Sequence, residues 1–385
     1  MSNILLRQFR RLPLLDRWLI GEIMGPLLFA IAAFTVFGLA GGVLFELVRR
    51  IVESGLSPWV ALQMVALKLP SFLVIALPMA TLLATLLAYS RLSANSELTA
   101  LRSVGVSTTR LIIPAMALAL TLTVLTFVLN DWIVPQSNRT AEVTLQRALG
   151  RSLATEKGKD IIYSRFGRMM TREGTDLGRG LQQLFYSRRF DKGEMVDVTV
   201  LDFSRSGFRQ MLVANRAIWN EPEAKWEFLD GQILTLNTNG STTRVDFDRY
   251  LYPLSSGPLK VAKLPSDANN MTIGQVYKAQ RLYIEAGNTK EARRMAVRIQ
   301  EKFTFPMSCM IFALIGSSLG ARPGAKKGWG WGFGISILLI FATYLLSFSF
   351  SSLGVKGILP PIAAAWLPVL ISLSAGGLLL KQASR

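Results

Sequence analysis

Three basic residues near the ends of long apolar stretches are the first candidates for chemistry in this chain. Arg49 and Arg50 follow one such stretch, and Lys68 lies close to the start of the next. Guanidinium and ammonium groups at a membrane edge suit the phosphates of lipid headgroups, so an anion site is one interpretation. The alternative is helical pairing of the arginines with Glu46 and Glu53, and side chains that simply extend to water.

A second candidate is the segment 91–105, which reads RLSANSELTALRSVG. Asn95 or Ser96 can cap a short helix, and this places Glu97 in the first turn, where a carboxylate is favourable. Gly105 suits the C-terminal end of such a helix. The segment therefore predicts one short helix between two apolar stretches.

The same helix has a face that could transmit force. Leu98, Leu101 and Arg102 recur at helical spacing beside Glu97, which makes the helix amphipathic. Such a helix can dock on a soluble motor and pass on its movement, because both of its ends continue into membrane spans. An interfacial connector with a solvated glutamate is the alternative interpretation.

Several kinds of catalytic site are excluded by composition. The chain has no histidine, which excludes His-ligated zinc and Ser-His-Asp catalysis. Its single cysteine, Cys309, lies in an apolar stretch, and one cysteine cannot form an intrachain disulfide. Segment 320–327 lacks the spacing of a phosphate-binding loop, so any ATP hydrolysis must occur in a partner. Asp131 and Glu301 are two isolated acids rather than a catalytic motif. We expect no catalytic residue, metal or cofactor.

Six apolar stretches must position these residues. A hydrocarbon core about 30 Å thick requires about 20 mostly apolar residues per helix. Stretches of this kind lie at about 20–45, 66–90, 110–134, 303–320, 329–352 and 360–380. The predicted fold is a membrane α-helical bundle of six transmembrane helices, with a polar domain inserted between the third and the fourth.

The basic residues indicate an orientation. The chain has 43 Lys and Arg against 25 Asp and Glu, but no cluster interleaves basic and stacking aromatic residues as a nucleic-acid site would. If the N-terminus is inside, the cytoplasmic flanks hold Arg7, Arg10, Arg11, Arg17, Arg91, Arg102, Arg110, Arg322, Lys326, Lys327, Lys381 and Arg385. The short outer loops then hold only Arg49, Arg50 and Lys356. Both termini are therefore expected to be cytoplasmic, and the inserted domain extracytoplasmic.

The inserted domain has the sequence pattern of antiparallel strands. Valines alternate with polar residues at 196–200, and further strands are predicted at 160–166, 183–190, 209–219, 225–237 and 242–252. Asp230-Gly231 and Asn239-Gly240 are hairpin signals. Strands of this number predict a sandwich or jelly roll. Helices at about 273–286 and 290–302 follow, and the second runs into the fourth span.

Three segments of the chain resemble one family. They are segment 91–105 given above, NDWIVPQSN at 130–138, and EKFTFP at 301–306 leading to FALIG at 312–316. The chain resembles the LptF/LptG permeases, the membrane subunits of the lipopolysaccharide-exporting ABC transporter. The likeness covers essentially the whole chain.

The resemblance implies how such a protein is organised. Residues 1–135 and 303–385 would be the two membrane halves, with a β-jelly-roll domain at 136–270 and connecting helices at 271–302. The helix at 91–105 would be the coupling helix, with Glu97 contacting the ATPase subunit. A second permease of the family would pair with this one. Lipopolysaccharide would pass from the outer leaflet to a bridge of similar β-domains in the periplasm.

One feature departs from the family pattern. Basic side chains of span one meet the lipid phosphates in known members, but here the apolar part of span one, 26–45, has no Lys or Arg. The resemblance implies a permease subunit of the inner membrane that extracts lipopolysaccharide or a related glycolipid. The alternative is a mechanotransmission permease that acts on an extracytoplasmic partner without moving lipid, and a membrane-embedded enzyme is a third class.

Overall fold

The computed structural model describes residues 13–54, 56–148, 159–170, 176–191, 193–203, 209–236, 240–254, 256–262, 268–322 and 329–384. The chain separates into two compact units. The first comprises Met1–Leu145 and Val297–Arg385, and the second comprises Gln146–Ala296. The chain therefore leaves the first unit once and returns to it once.

Helices account for the secondary structure of the first unit wherever it is described. The helices of the chain are α1 (Leu14–Leu39), α2 (Phe45–Ser54), α3 (Pro58–Ala94), α4 (Glu97–Ser103), α5 (Thr108–Val128), α6 (Val134–Ala148), α7 (Gly257–Ala262), α8 (Ile273–Glu285), α9 (Thr289–Gly320), α10 (Trp329–Lys356) and α11 (Pro361–Ala383). Two π-helical turns, Ala40–Leu44 and Leu129–Ile133, join α1 to α2 and α5 to α6.

Six helical stretches of the described chain are long and apolar enough to cross a membrane. They are Leu14–Glu53, Pro58–Ala94, Thr108–Leu145, Thr289–Gly320, Gly332–Lys356 and Pro361–Ala383. This confirms the predicted six-helix bundle. The spans are longer than predicted because polar ends, which an apolar pattern cannot reveal, continue the helices. The polar stretch after span three, for example, is helix α6 rather than an irregular linker.

Spans two and four, α3 and α9, are in close contact at two glycines. A Cβ added at Gly316 would overlap the Thr85 hydroxyl and lie 2.8 Å from the Leu82 carbonyl oxygen. A Cβ added at Gly320 would lie 2.9 Å from the Leu86 carbonyl oxygen. Small residues four apart let helix backbones approach in a membrane, where dispersion contacts drive association. The two glycines therefore set the distance between these spans.

Three buried hydroxyls near this contact are bonded within their own helices. Thr81 donates to the Leu77 carbonyl, and Thr85 donates to the Thr81 carbonyl one turn earlier in the same helix. Ser317 on α9 donates to the Ala313 carbonyl in the same way. Because a hydroxyl without a partner is costly in an apolar interior, these bonds allow small polar residues at the helix contact.

The spans differ in how much of their surface the bundle covers. In the most apolar window of span two 72% of residues are buried, and in span four 61%. The corresponding values are 17% for span one and 11% for span five. Spans two and four are therefore central in this subunit, whereas spans one and five present wide apolar faces outward.

The second unit contains one antiparallel sheet. Its strands are β1 (Lys159–Met170), β2 (Asp176–Asp191), β3 (Glu194–Asp202), β4 (Arg209–Asn220), β5 (Lys225–Leu236) and β6 (Thr242–Tyr252). They pair in sequential order from β1 to β6. The inserted antiparallel domain is thus confirmed. Its described strands form a meander, whereas the Greek keys of a strict jelly roll require crossovers between non-consecutive strands.

One face of the sheet builds a core around large aromatic residues. Phe185, Trp226 and Phe228 are fully buried there. The prediction of a hairpin at Asp230-Gly231 is wrong, because both residues lie inside β5. A Cβ at Gly231 would lie 2.6 Å from the ring of a residue on β6, so the glycine serves close packing rather than a turn. Asn239, of the other hairpin signal, lies outside the described residues.

The glycine contact between spans two and four yields a stability prediction. Gly316→Ala should lower the free energy of unfolding by roughly 1–3 kcal/mol, because overpacking at a backbone contact cannot be relieved by one side chain. Gly377→Ala in span six is the matched control, since an added Cβ there meets nothing within 4 Å. Thermal unfolding of both variants in detergent measures the difference. Equal melting temperatures would contradict the account.

Candidate functional site

Segment 91–105 contains the last residues of α3, which ends at Ala94, and the whole of the shorter helix α4, Glu97–Ser103. Ser96 has a left-handed backbone (φ 62°), and its side chain does not cap the helix. The Asn95 amide instead donates to Glu97 Oε1 at 3.0 Å. The prediction that Asn95 or Ser96 caps the helix is therefore wrong, because a capping side chain needs an extended backbone at this position.

The C-terminal end of α4 follows the prediction. Gly105 adopts φ +94°, and its N–H donates to the Arg102 carbonyl at 2.9 Å. The N–H of Val106 donates to the Leu101 carbonyl at 3.1 Å. These two bonds form a Schellman motif, which requires the left-handed residue that glycine supplies. The chain then enters α5 through Ser107, whose hydroxyl accepts a bond from the Arg110 N–H.

Two of the predicted coupling residues hold α4 against the bundle. Leu98 is 1% exposed and belongs to the apolar core that Leu19 of α1 and Leu111 of α5 also join. Leu101 packs against the same core. The opposite face carries the exposed residues Thr99, Ala100, Ser103 and Val104. Glu97 is half-buried at the border between the two faces.

Arg102 binds within the chain. Its Nη2 donates to the Ala321 carbonyl oxygen at 2.7 Å, and the Ser93 hydroxyl donates to the neighbouring Arg322 carbonyl oxygen at 2.9 Å. These carbonyls close the C-terminal end of α9, where a cation is favourable. Burial lowers the pKa of the Arg102 guanidinium from its ordinary value. Arg102 therefore links α4 to the end of span four.

The helices on either side of α4 also bind span one, which sequence reasoning missed. Arg91, near the end of α3, forms an ion pair with Glu22 of α1. Arg110, in the first turn of α5, forms an ion pair with Asp16 of α1 at 2.6 Å. Glu22 carried a signal, because a carboxylate inside an apolar span needs a partner. Its partner could not be read from the sequence, since the paired residues are far apart along the chain.

The motif at 130–138 contains a second interaction that the sequence did not reveal. The π-helical turn Leu129–Ile133 interrupts the regular hydrogen bonding of span three. Lys302, which is 6% exposed, donates its Nζ to the Asn130 carbonyl oxygen at 2.8 Å. Farther along, the Ser71 hydroxyl donates to Asn138 Oδ1 at 3.0 Å. Residues that carried the family resemblance thus join spans two, three and four.

The predicted basic residues lie apart from α4. Arg49 pairs with Glu53 at 2.8 Å, and Arg50 pairs with Glu46, each four residues away on α2. The helical pairing considered from the sequence is therefore present. Lys68 lies on α3 and is half-buried. Side chains of these exposed pairs retain access to solvent, with 73% of the Arg49 side chain exposed.

Metal binding finds no support in the described part of the chain. Within it, no group of three or more His, Cys, Asp or Glu residues could hold a metal ion. Several polar residues of the membrane unit are engaged in the helix contacts given above. What the arrangement can do is connect a small exposed helix, α4, to several membrane spans.

Comparison with known proteins gives a consistent result. Residues 17–382 match the family described as Lipopolysaccharide export system permease LptF/LptG. The Lipopolysaccharide export system permease protein LptG of Haemophilus influenzae is 24% identical over 316 residues, which cover 79% of this chain and 80% of that protein. The protein of the same name from Escherichia coli K12 is 22% identical over 360 residues, which cover 92% and 94%. The family match spans nearly the whole sequence, and the chain therefore belongs to the LptF/LptG family of lipopolysaccharide export system permeases.

Proposed function

We propose that this chain is a permease subunit of an ABC transporter that extracts lipopolysaccharide, or a related glycolipid, from the outer leaflet of the inner membrane. The lipid then passes to a periplasmic bridge toward the outer membrane. The observation that carries the proposal, beyond family membership, is α4. It is a short helix with one exposed face. Its other face packs in the apolar core, Arg102 bonds it to the end of span four, and Arg110 of the next helix pairs with span one.

ATP hydrolysis takes place in a separate ATPase subunit that docks on α4. The exposed face of α4 offers a contact, which includes Val104 at its end with 83% of the residue exposed. Glu97 at the border supplies a carboxylate to the partner. Leu98, Leu101 and Arg102 keep the helix in place, so that force on α4 reaches the bundle.

Both termini and α4 lie on the cytoplasmic side, and the β-domain lies in the periplasm. The excess of Lys and Arg in the flanks on the α4 side supports this orientation. In this arrangement the β-domain at 136–270 and the connecting helices at 271–302 receive the lipid on the periplasmic side. An ATPase could then reach α4 from the cytoplasm.

A second permease of the same family covers part of the outer surface of the bundle. Support comes from spans one and five, which are long and apolar but buried for only 17% and 11% of their most apolar windows. Two such faces from each of two permeases can enclose a lipid between them. The pair can be a heterodimer or a homodimer.

The β-domain hands the lipid to bridge proteins built from similar domains. One edge of its sheet is already occupied, because the Ser164 N–H on β1 donates to the Ala286 carbonyl at 2.8 Å and Tyr163 packs on Gly257. The other edge strand, β6, is mostly exposed. An exposed edge can accept a strand from another domain.

The headgroup of the lipid binds the basic residues at the outer ends of spans one and two. Arg49 and Arg50 are paired with glutamates, but exposed pairs contribute little and exchange readily for other anions. Lys68 adds a third positive charge near the start of span two. Phosphate accepts charge-assisted bonds from arginine, which gives the site its preference for phosphorylated lipids.

Glu97→Ala tests the proposed coupling. We expect binding of the ATPase to weaken about 30-fold, the effect of losing one interface residue worth about 2 kcal/mol. ATP-dependent release of lipopolysaccharide from vesicles should fall with it. Glu221→Ala, at an exposed turn of the β-domain, is the control and should leave both unchanged. Normal ATPase binding and release in the Glu97→Ala protein would remove the role of this residue.

Charge reversal tests the headgroup site. Arg49→Glu with Arg50→Glu should weaken binding of lipopolysaccharide about tenfold, because bonds between charged groups are lost. Glu46→Gln with Glu53→Gln is the matched variant, and it should strengthen binding by releasing both arginines. Binding is measured by microscale thermophoresis with labelled protein. If neither double variant changes the affinity, the arginines only pair with their own helix and extend to water.

A further inference from the structure

Span one is attached to the bundle along one narrow face. Its buried side chains, Leu19, Ile23, Leu27 and Ala30, recur at helical spacing and pack on α3 and α5. Thr35 is also buried and Gly38 lies against the Phe72 ring of α3, whereas other positions are open, as the exposure of Phe37 at 75% illustrates. This packing holds the helix against α3 and α5, and polar contacts add to it.

Two ion pairs are these polar contacts. They join α1 to the helices that precede and follow α4. The Asp16 side chain is 14% exposed and lies 2.6 Å from Arg110, at the start of α5. The Glu22 side chain is 24% exposed and pairs with Arg91, near the end of α3. The arginines are more open, with 55% of the Arg91 side chain and 35% of the Arg110 side chain exposed, so each pair joins a shielded carboxylate to a partly exposed guanidinium. Removal of the arginine would leave the carboxylate charged in a poorly hydrated place.

The order of these residues along the chain connects movement of α4 to movement of α1. The chain runs from Arg91 through α4 to Arg110, so the pairs lie on either side of the exposed helix. Both acids lie on one helix, α1, six residues or about 9 Å apart along its axis. A displacement of α4 that moves both arginines must therefore displace α1.

Span one is long enough to carry such a displacement across the membrane. From Leu14 the helical stretch continues through the π-helical turn Ala40–Leu44 to Glu53, 40 residues in all. At about 1.5 Å per residue it extends for about 60 Å. Its far end carries Arg49 and Arg50. By contrast, no hydrogen bond or ion pair joins α10 to residues 91–110 within the described chain.

We propose that the ion pairs Asp16–Arg110 and Glu22–Arg91 are the linkage that makes span one move with the coupling helix. ATPase movement is thereby converted into displacement of the helix that bears the headgroup residues. The inference rests on the proposed function. Asp16, Glu22, Arg91 and Arg110 are positioning residues in it, since each acts through the helix that it pairs with.

The experiment uses the full chain with its ATPase and partner permease, in vesicles of phosphatidylethanolamine and phosphatidylglycerol that contain lipopolysaccharide. Spin labels on cysteines at Phe37 and Phe348 report the distance between spans one and five. A label at Thr99 reports movement of α4. Cys309 is fully buried and does not compete for the label. Pulsed and continuous-wave EPR spectra are recorded before and after trapping with ATP and vanadate.

In the parent complex, trapping should shift both the Phe37–Phe348 distance and the Thr99 spectrum. Asp16→Asn with Glu22→Gln should keep the Thr99 response but lose the distance shift. Lipopolysaccharide released per ATP should fall about tenfold, within the usual range of coupling between sites. Exchanging the charges, D16R with R110D and E22R with R91E, should restore the distance shift and the release of lipopolysaccharide. Asp197→Asn, which breaks an exposed ion pair in the β-domain, is the control.

An unchanged distance shift in the neutral variant would overturn the proposal. A charge-exchanged variant that fails to assemble, or that fails to move span one, would also overturn the proposal. If the neutral variant does not assemble, the charge-exchanged variant alone tests the linkage. Loss of the Thr99 response in the parent complex is a different result. It would contradict docking of the ATPase on α4, and thus the proposed function on which the linkage rests.

Discussion

The close approach of spans two and four is the constraint on which the rest of the membrane unit depends. At Gly316 and Gly320, the backbone of α9 lies against α3 with no room for a methyl group. Contacts of this kind leave no slack, because a densely packed interface resists sliding and tilting. The pair forms a stiff centre, and each of the other spans is positioned by how it attaches to that centre.

The attachments differ in kind. Arg102 and Ser93 bind the carbonyls at the end of α9, so the coupling segment is fixed to the stiff centre by hydrogen bonds. Span one is held by an apolar stripe and two ion pairs, and span five by apolar and aromatic contacts such as that between Phe312 and Tyr344. A bundle with a rigid centre, and with two spans that the other helices cover only in part, is suited to open and close around a lipid. The polar π-helical turn in span three, bonded to Lys302, adds a fixed point at the opposite end from α4.

The sequence was sufficient for the features that depend on composition and period. Long apolar runs predicted the six spans, because a bilayer demands them, and alternation predicted the strands. The Gly105 stop was predictable because only a left-handed residue completes the Schellman motif. The absent cap at Ser96 was not, since its left-handed turn follows from the way α3 and α4 pack. Asp230-Gly231 has the composition of a turn, but the space beside β6 decides its role.

The ion pairs and hydrogen bonds that connect distant segments could not be predicted from the sequence. Glu22, inside an apolar stretch, indicated the need for a partner, but only the fold shows that Arg91 meets it and that Arg110 meets Asp16. The same holds for Arg102, which the helical pattern assigned to a partner surface and the structure bonds to the end of span four. The basic residues Arg49 and Arg50 are the opposite case, because their partners are four residues away and the pattern alone predicts the pairing.

Affinity purification of the tagged chain from gently solubilised membranes tests the central claim most directly. Mass spectrometry then identifies the proteins and lipids that purify with it. The account predicts an ABC-type ATPase, a second permease of the LptF/LptG family and a lipopolysaccharide-like glycolipid in the same complex. An ATPase without glycolipid would contradict lipid extraction and favour mechanotransmission to an extracytoplasmic partner. If both the ATPase and the glycolipid are missing from the purified complex, the transporter account is contradicted altogether.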